Sequence, residues 1–214
     1  MRLYLSSFRI GNCPEHLVAM ARGDDRVAVI ANSMDGASDE VREQAVAREL
    51  DALAAIGFVA EEIDLRRYFA DSAPLAADLR RFGTIWVRGG NTFVLRDALA
   101  RSRADRELIR MLRADAAVYG GYSAGVCVLI PSLRGLEIVD DPEAVTQVYG
   151  DRPIWDGLGV LDHAIVPHFD SPDHPESEAC GRVAAHYRAT GVPHRTLRDG
   201  EVLVIDGHDV AICG

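Results

Sequence analysis

Apolar positions along the chain fall into two alternating patterns. Val27-Ala28-Val29-Ile30-Ala31 is an unbroken apolar run, the mark of a strand buried on both faces. Residues 3–6, 84–87, 117–122 and 164–168 read the same way, and residues 58–65 alternate apolar with polar. Between these runs the spacing is helical. Val41, Ala45, Leu50, Leu53 and Ile56 recur near a period of 3.6 after an acidic start at Ser38-Asp39-Glu40, and Gly57 stops the pattern. Residues 14–22, 74–82, 93–101, 105–114 and 176–190 are also expected to be helical. Residues 132–157 are rich in Asp, Gly and Pro and read as a surface excursion. Residues 194–197, 202–206 and 210–213 read as short closing strands or hairpins.

Strands that alternate with helices predict an α/β fold whose mostly parallel sheet is covered on both faces. Ligands of such sheets bind beyond the carboxyl ends of the strands. Three loops are expected there: residues 89–92, 122–124 and 168–174. No linker, internal repeat or low-complexity segment interrupts the pattern, so residues 1–214 are expected to form a single catalytic domain.

Composition narrows the possibilities. Of 214 residues, 48% are hydrophobic and 26% charged, enough for a sizeable core. The formal net charge is -10 and the arginines form no cluster, which argues against nucleic acid or anionic membrane as partners. No run approaches the roughly 18 apolar residues of a membrane-crossing helix, and the first residues turn polar too soon for a secretory signal. Cys13, Cys127, Cys180 and Cys213 are far apart without CxxC spacing. They are expected to be reduced thiols of a cytoplasmic protein, with no metal site.

The chemistry concentrates in Gly121-Tyr122-Ser123-Ala124-Gly125, set between the apolar runs 116–119 and 126–130. A strand, a Gly-bracketed turn and a helix would put Ser123 at the apex of a nucleophile elbow. The turn would aim the Ala124 amide at an anion beside the serine oxygen. Among the seven histidines, His168 ends an apolar strand at the expected carboxyl edge and is the candidate general base. Asp170, Asp173, Glu176 and Glu178 lie too close in sequence to be told apart as its partner, whereas Asp199, in an Asp-Gly turn before a strand, could approach from the other side. Arg88-Gly89-Gly90-Asn91-Thr92 joins strand to helix with free amides, and matches neither a Walker loop nor a dinucleotide fingerprint. Gly90 N–H would complete an oxyanion hole with Ala124 N–H, and Asn91 would contact the substrate's polar end, a role compatible with Asn91 or Thr92 capping the helix.

These motifs resemble the peptidase E (aspartyl dipeptidase) family of serine peptidases, relatives of cyanophycinase. The resemblance runs through Gly89-Gly90-Asn91-Thr92-Phe93, Gly121-Tyr122-Ser123-Ala124-Gly125, Asp156-Gly157-Leu158-Gly159, Pro167-His168-Phe169, His174 and Leu197-Arg198-Asp199-Gly200, in order over nearly the whole chain. It implies a three-layer α/β sandwich like the class I glutamine amidotransferases. It also implies a Ser123–His168–Asp199 triad with Asp where the family more often has Glu, and no cofactor. Members that cleave after an N-terminal aspartate carry a threonine just past the histidine and an arginine at the start of the next helix. Here those positions read Asp170 and Ala179, with Arg182 a turn further on. Asp170 and Arg182 are therefore candidate substrate contacts, and the side-chain preference is open. The implied partner is a small peptide substrate, and the enzyme is expected to be a monomer or a homodimer. An esterase or amidase on the same scaffold, and a binding protein without turnover, are the competing readings.

Overall fold

The computed structural model describes residues 1–214. Nine strands and eight α-helices are joined by loops, three of which contain a short 3₁₀ turn. The first half alternates β1 (Arg2–Ser6), α1 (Pro14–Ala21), β2 (Arg26–Ile30), α2 (Asp39–Ala54), β3 (Val59–Glu62), α3 (Leu75–Leu79) and β4 (Thr84–Val87). Then come α4 (Thr92–Ser102), α5 (Ala104–Arg113), β5 (Val118–Tyr122), α6 (Ala124–Cys127), α7 (Ala144–Tyr149), β6 (Ala164–Val166) and α8 (Ser177–Thr190). The chain closes with β7 (His194–Thr196), β8 (Val202–Asp206) and β9 (Asp209–Cys213).

Seven strands form the central sheet in the order β3-β2-β4-β5-β1-β8-β9. The first five are mutually parallel, while β8 runs antiparallel to β1 and β9 antiparallel to β8. The sheet buries both faces because successive side chains point to opposite sides. Leu3, Leu5, Ala28, Ile30, Ile85 and Val87 join a core cluster with Leu75, Leu95, Leu99 and Leu108 of the helices on one face. Their neighbours Tyr4, Val27, Val29 and Trp86 pack with Leu17, Met20 and Leu53 on the other. A third cluster lies under α4, α6, α7, α8 and β6.

Two placements depart from the sequence reading. The strand leading to His168 is not part of the central sheet: β6 pairs in parallel with β7 in a separate two-stranded sheet. The excursion at residues 132–157 contains a helix, α7, whose Val145 is fully buried. Nor are all four cysteines free. Cys13 and Cys213 form a disulfide with Cα atoms 6.4 Å apart, and only Cys127 and Cys180 remain as buried thiols. A separation of 200 residues hides this pair from a reading based on spacing, and the antiparallel return of β9 brings it together. No helix is long and apolar enough to cross a membrane.

Candidate active site

The carboxyl ends of β1, β4 and β5 meet at one edge of the sheet, and β8, being antiparallel, begins there: Ser6 pairs with Val202 and with Tyr122. The turn at Asp199 therefore reaches the same edge as Ser123. β6 and β7 bring the remaining segment. Leu197 N–H donates to the Val166 carbonyl at 2.9 Å and Phe169 N–H to that of Leu197 at 3.0 Å, so the chain past each strand stays paired and His168 faces Asp199.

Ser123 has φ 50° and ψ −118° and directly precedes α6. A positive φ is costly for a residue with a side chain and persists only where its surroundings enforce it. The enforcement comes from Gly121 and Gly125, at either of which a Cβ would collide with the Val87 carbonyl oxygen. Ala124 opens α6, so its N–H has no acceptor within the helix. Gly90 has φ 143° and a Cβ there would meet Ser33 at 2.8 Å. Gly89, Gly90, Ser123 and His168 line one cleft of about 280 Å³.

His168 Nδ1 lies 2.7 Å from Asp199 Oδ1. The His168 side chain is 2% exposed and that of Asp199 23%. Ser7, at the end of β1, ties the pair together: its Oγ accepts from His168 N–H at 2.8 Å and donates to Asp199 Oδ1 at 2.9 Å. Ser171 Oγ accepts from Asp199 N–H at 2.8 Å. The His168 ring stacks on that of His174, with centroids 3.6 Å apart and planes at 1°, and meets Phe8 edge-on at 5.7 Å. Burial pushes the His168 pKa below its ordinary value, the hydrogen bond that His168 donates to Asp199 pulls it up, and the neighbouring His174 pushes it down again, for a net decrease. Glu49 is buried against the cleft, accepting from Tyr122 Oη at 2.7 Å and from Trp86 Nε1 at 2.9 Å. His168, His174 and Asp199 bring atoms able to ligate a metal within 4.8 Å of one another. A metal there would compete with the His168–Asp199 bond and with the Glu176 N–H donated to His174 Nδ1 at 3.2 Å.

A model of peptidase family S51 matches residues 22–213. The chain belongs to peptidase family S51. Family membership makes it a peptidase, and the α/β sandwich with its mostly parallel seven-stranded sheet agrees with solved relatives. The chain is 32% identical to a Streptomyces coelicolor protein named peptidase E over 156 residues, 71% of this chain and 60% of that one. It is 28% identical to an uncharacterized peptidase of Listeria innocua over 155 residues, covering 72% and 70% of the two chains. In three dimensions it is similar to a Listeria monocytogenes protein provisionally named peptidase E, with TM-score 0.79 at 22% identity over 99% and 97% of the chains. It is also similar to a peptidase from an acI-B1 Actinobacterium, with TM-score 0.67 at 16% identity over 100% and 87%.

The structure brings Ser123, His168, Asp199, Gly90 and Ala124 to one edge, and it separates three residues expected to meet substrate. Asn91 caps α4: its Oδ1 accepts from Phe93 and Val94 N–H at 2.9 and 3.0 Å, while its Nδ2 donates to the Asp141 carbonyl at 2.9 Å. Asp170 is exposed and pairs with Arg198 at 2.6 Å, outside the Ser123 cleft. Arg182 pairs with Glu178 at 3.1 Å on the exposed side of α8, also outside the cleft. Of the residues the sequence reading passed over, Ser7 and Phe8 had one signal: they follow the first strand at its carboxyl end, where ligand loops gather. Glu49 had none, since one glutamate in an amphipathic helix looks like solvent-facing charge.

Proposed function

We propose that the chain is a serine peptidase of short peptides that works through an acyl-enzyme. Ser123 Oγ attacks the scissile carbonyl as His168 takes its proton, and the tetrahedral oxyanion sits between the N–H groups of Gly90 and Ala124. Asp199 holds Nδ1 of His168, leaving Nε2 to exchange protons, and stabilises the imidazolium. His168 then protonates the departing amine, and the C–N bond breaks to leave an ester on Ser123. Water, deprotonated by His168, hydrolyses that ester and restores the serine.

The observation that carries this reading is the 2.7 Å contact of Asp199 Oδ1 with Nδ1 of His168, a residue that lines the cleft together with the strained Ser123. Three non-glycine residues that line the cleft, Arg9, Ser123 and His168, have positive φ. A cleft of about 280 Å³ is at the small end of ligand sites and suits a short peptide rather than a folded protein. The substrate's first residue is not assigned to aspartate, because Arg182 lies outside the cleft.

The test is hydrolysis of Asp-Ala, Ala-Ala, Leu-Ala and Arg-Ala by wild type and by Ser123→Ala, with fluorophosphonate labelling alongside. Turnover of at least one dipeptide, lost by about 10³-fold or more in the variant, together with labelling at Ser123, is the expected result. Wild-type rates in Ser123→Ala would end the proposal.

A further inference from the structure

The chain has a formal net charge of -10, yet Arg9, Arg48 and Arg88 all line the Ser123 cleft. Arg88 is already engaged: its Nε lies 3.4 Å from Glu49 Oε1 and its Nη1 donates to the Gly89 carbonyl at 2.6 Å. Arg9 and Arg48 pair with no carboxylate. Arg48 donates Nε to the Gln44 carbonyl at 3.2 Å, which leaves both its Nη groups free. The Arg9 guanidinium rests over the Phe8 ring, 5.1 Å from its centroid.

Arg9 is also held in place. Its φ of 50° belongs to a strap between β1 and α1 that is pinned along its length. Tyr4 Oη donates to the Ile10 carbonyl at 2.6 Å, Ser6 Oγ to that of Phe8 at 3.1 Å, and Asn12 N–H to that of Gly200 at 2.9 Å. Phe8 meets the His168 ring edge-on, so the strap carrying Arg9 is packed directly on the candidate base.

Two further hollows share walls with the main cleft. A cavity of about 20 Å³ shares Ser123, His168 and Glu176 with the main cleft. A shallow hollow shares Phe8, Arg9, Ile10 and Ala52 with it, and none of Ser123, His168 and Glu176. Arg9 thus marks the end of the cleft away from the cavity beside Ser123. Two guanidinium groups, unpaired and partly preorganised, are a receptor for a carboxylate.

We propose that Arg9 and Arg48 bind the free carboxylate of the substrate's C-terminal residue, so that the enzyme takes short peptides with an unblocked C-terminus. The proposal rests on Ser123 being the nucleophile of this cleft. It differs from recognition of an acidic first residue, because the group bound lies on the departing side of the scissile bond.

The test uses each of the four dipeptides as free acid and as C-terminal amide. Wild type is compared with Arg9→Gln, Arg48→Gln and the double variant. Wild type should favour acids over amides by about tenfold to a hundredfold, expressed in KM. That preference should fall in each single variant and approach unity in the double one. Calorimetric binding to Ser123→Ala, with and without the two arginine changes, reads the same preference without turnover. Binding that prefers acids and depends on the arginines, with no turnover by wild type, would uphold the assignment and refute the peptidase reading instead. Equal handling of acids and amides by wild type, an acid preference that survives loss of both arginines, or a loss confined to Asp-Ala in either form would each overturn it.

Discussion

At the scale of single residues, backbone strain and burial matter more than residue type. Ser123 is one of many serines, and the bracketing glycines, barred from carrying a Cβ by the Val87 carbonyl, distinguish it. The motif made that legible in the sequence. Ser7 was not legible: it acts on His168 and Asp199 from 161 and 192 residues away, and no local pattern marks a hydroxyl that bridges such distances. His168 carries a prediction. Only the neutral imidazole can accept the Ser123 proton, and burial, the largest influence, depresses its pKa. The acid limb of kcat/KM should therefore fall below the ordinary histidine value of about 6.5. His174→Phe keeps an aromatic partner but removes a group that disfavours the charged ring, so the limb should move upward. A pH–rate profile of both proteins checks this, and a wild-type limb above the ordinary value would contradict it.

At the scale of elements, caps and strand ends decide which side chains are free to bind. Asn91 sits in a glycine-rich loop that reads as a ligand loop, and the sequence reading expected it to contact substrate while allowing it to cap the helix. In the fold its carboxamide oxygen is occupied by two amides of α4. Asn91→Ala should therefore cost about 1 kcal/mol of stability, while Asn91→Ser, which keeps a capping oxygen, should recover most of it. Denaturant unfolding measures both. Arg182 shows the converse. Its position a turn into α8 was legible, but which face of the helix it occupies depends on how α8 packs on β6 and β7, and that packing turns it outward to Glu178. Arg182→Ala should leave KM for every dipeptide of the panel within about twofold, as for a solvent-exposed ion pair, and a larger rise for Asp-Ala would return it to the site.

At the scale of the whole molecule, the last strand closes the design. β9 is the edge of the sheet, and Cys213 ties it to Cys13, just before α1. Cross-linking distant residues restricts the unfolded chain, an effect typically worth about 2–4 kcal/mol. Cys213→Ser, or reduction of the wild type, should lower Tm, and the unfolded, unreduced protein should titrate two thiols, those of Cys127 and Cys180. Four titratable thiols would contradict the bridge. The sequence by itself determined the alternation of strands and helices, the elbow at Ser123, the histidine at a strand end and the family resemblance. These are properties of contiguous residues, and hydrophobic period and turn chemistry are local. Only the tertiary structure decided that β8 runs antiparallel and so delivers Asp199 to His168. It alone placed β6 outside the main sheet, left Arg9 and Arg48 unpaired in the cleft and joined Cys13 to Cys213. Those outcomes depend on the relative direction and stacking of elements far apart in the chain, which no local window contains.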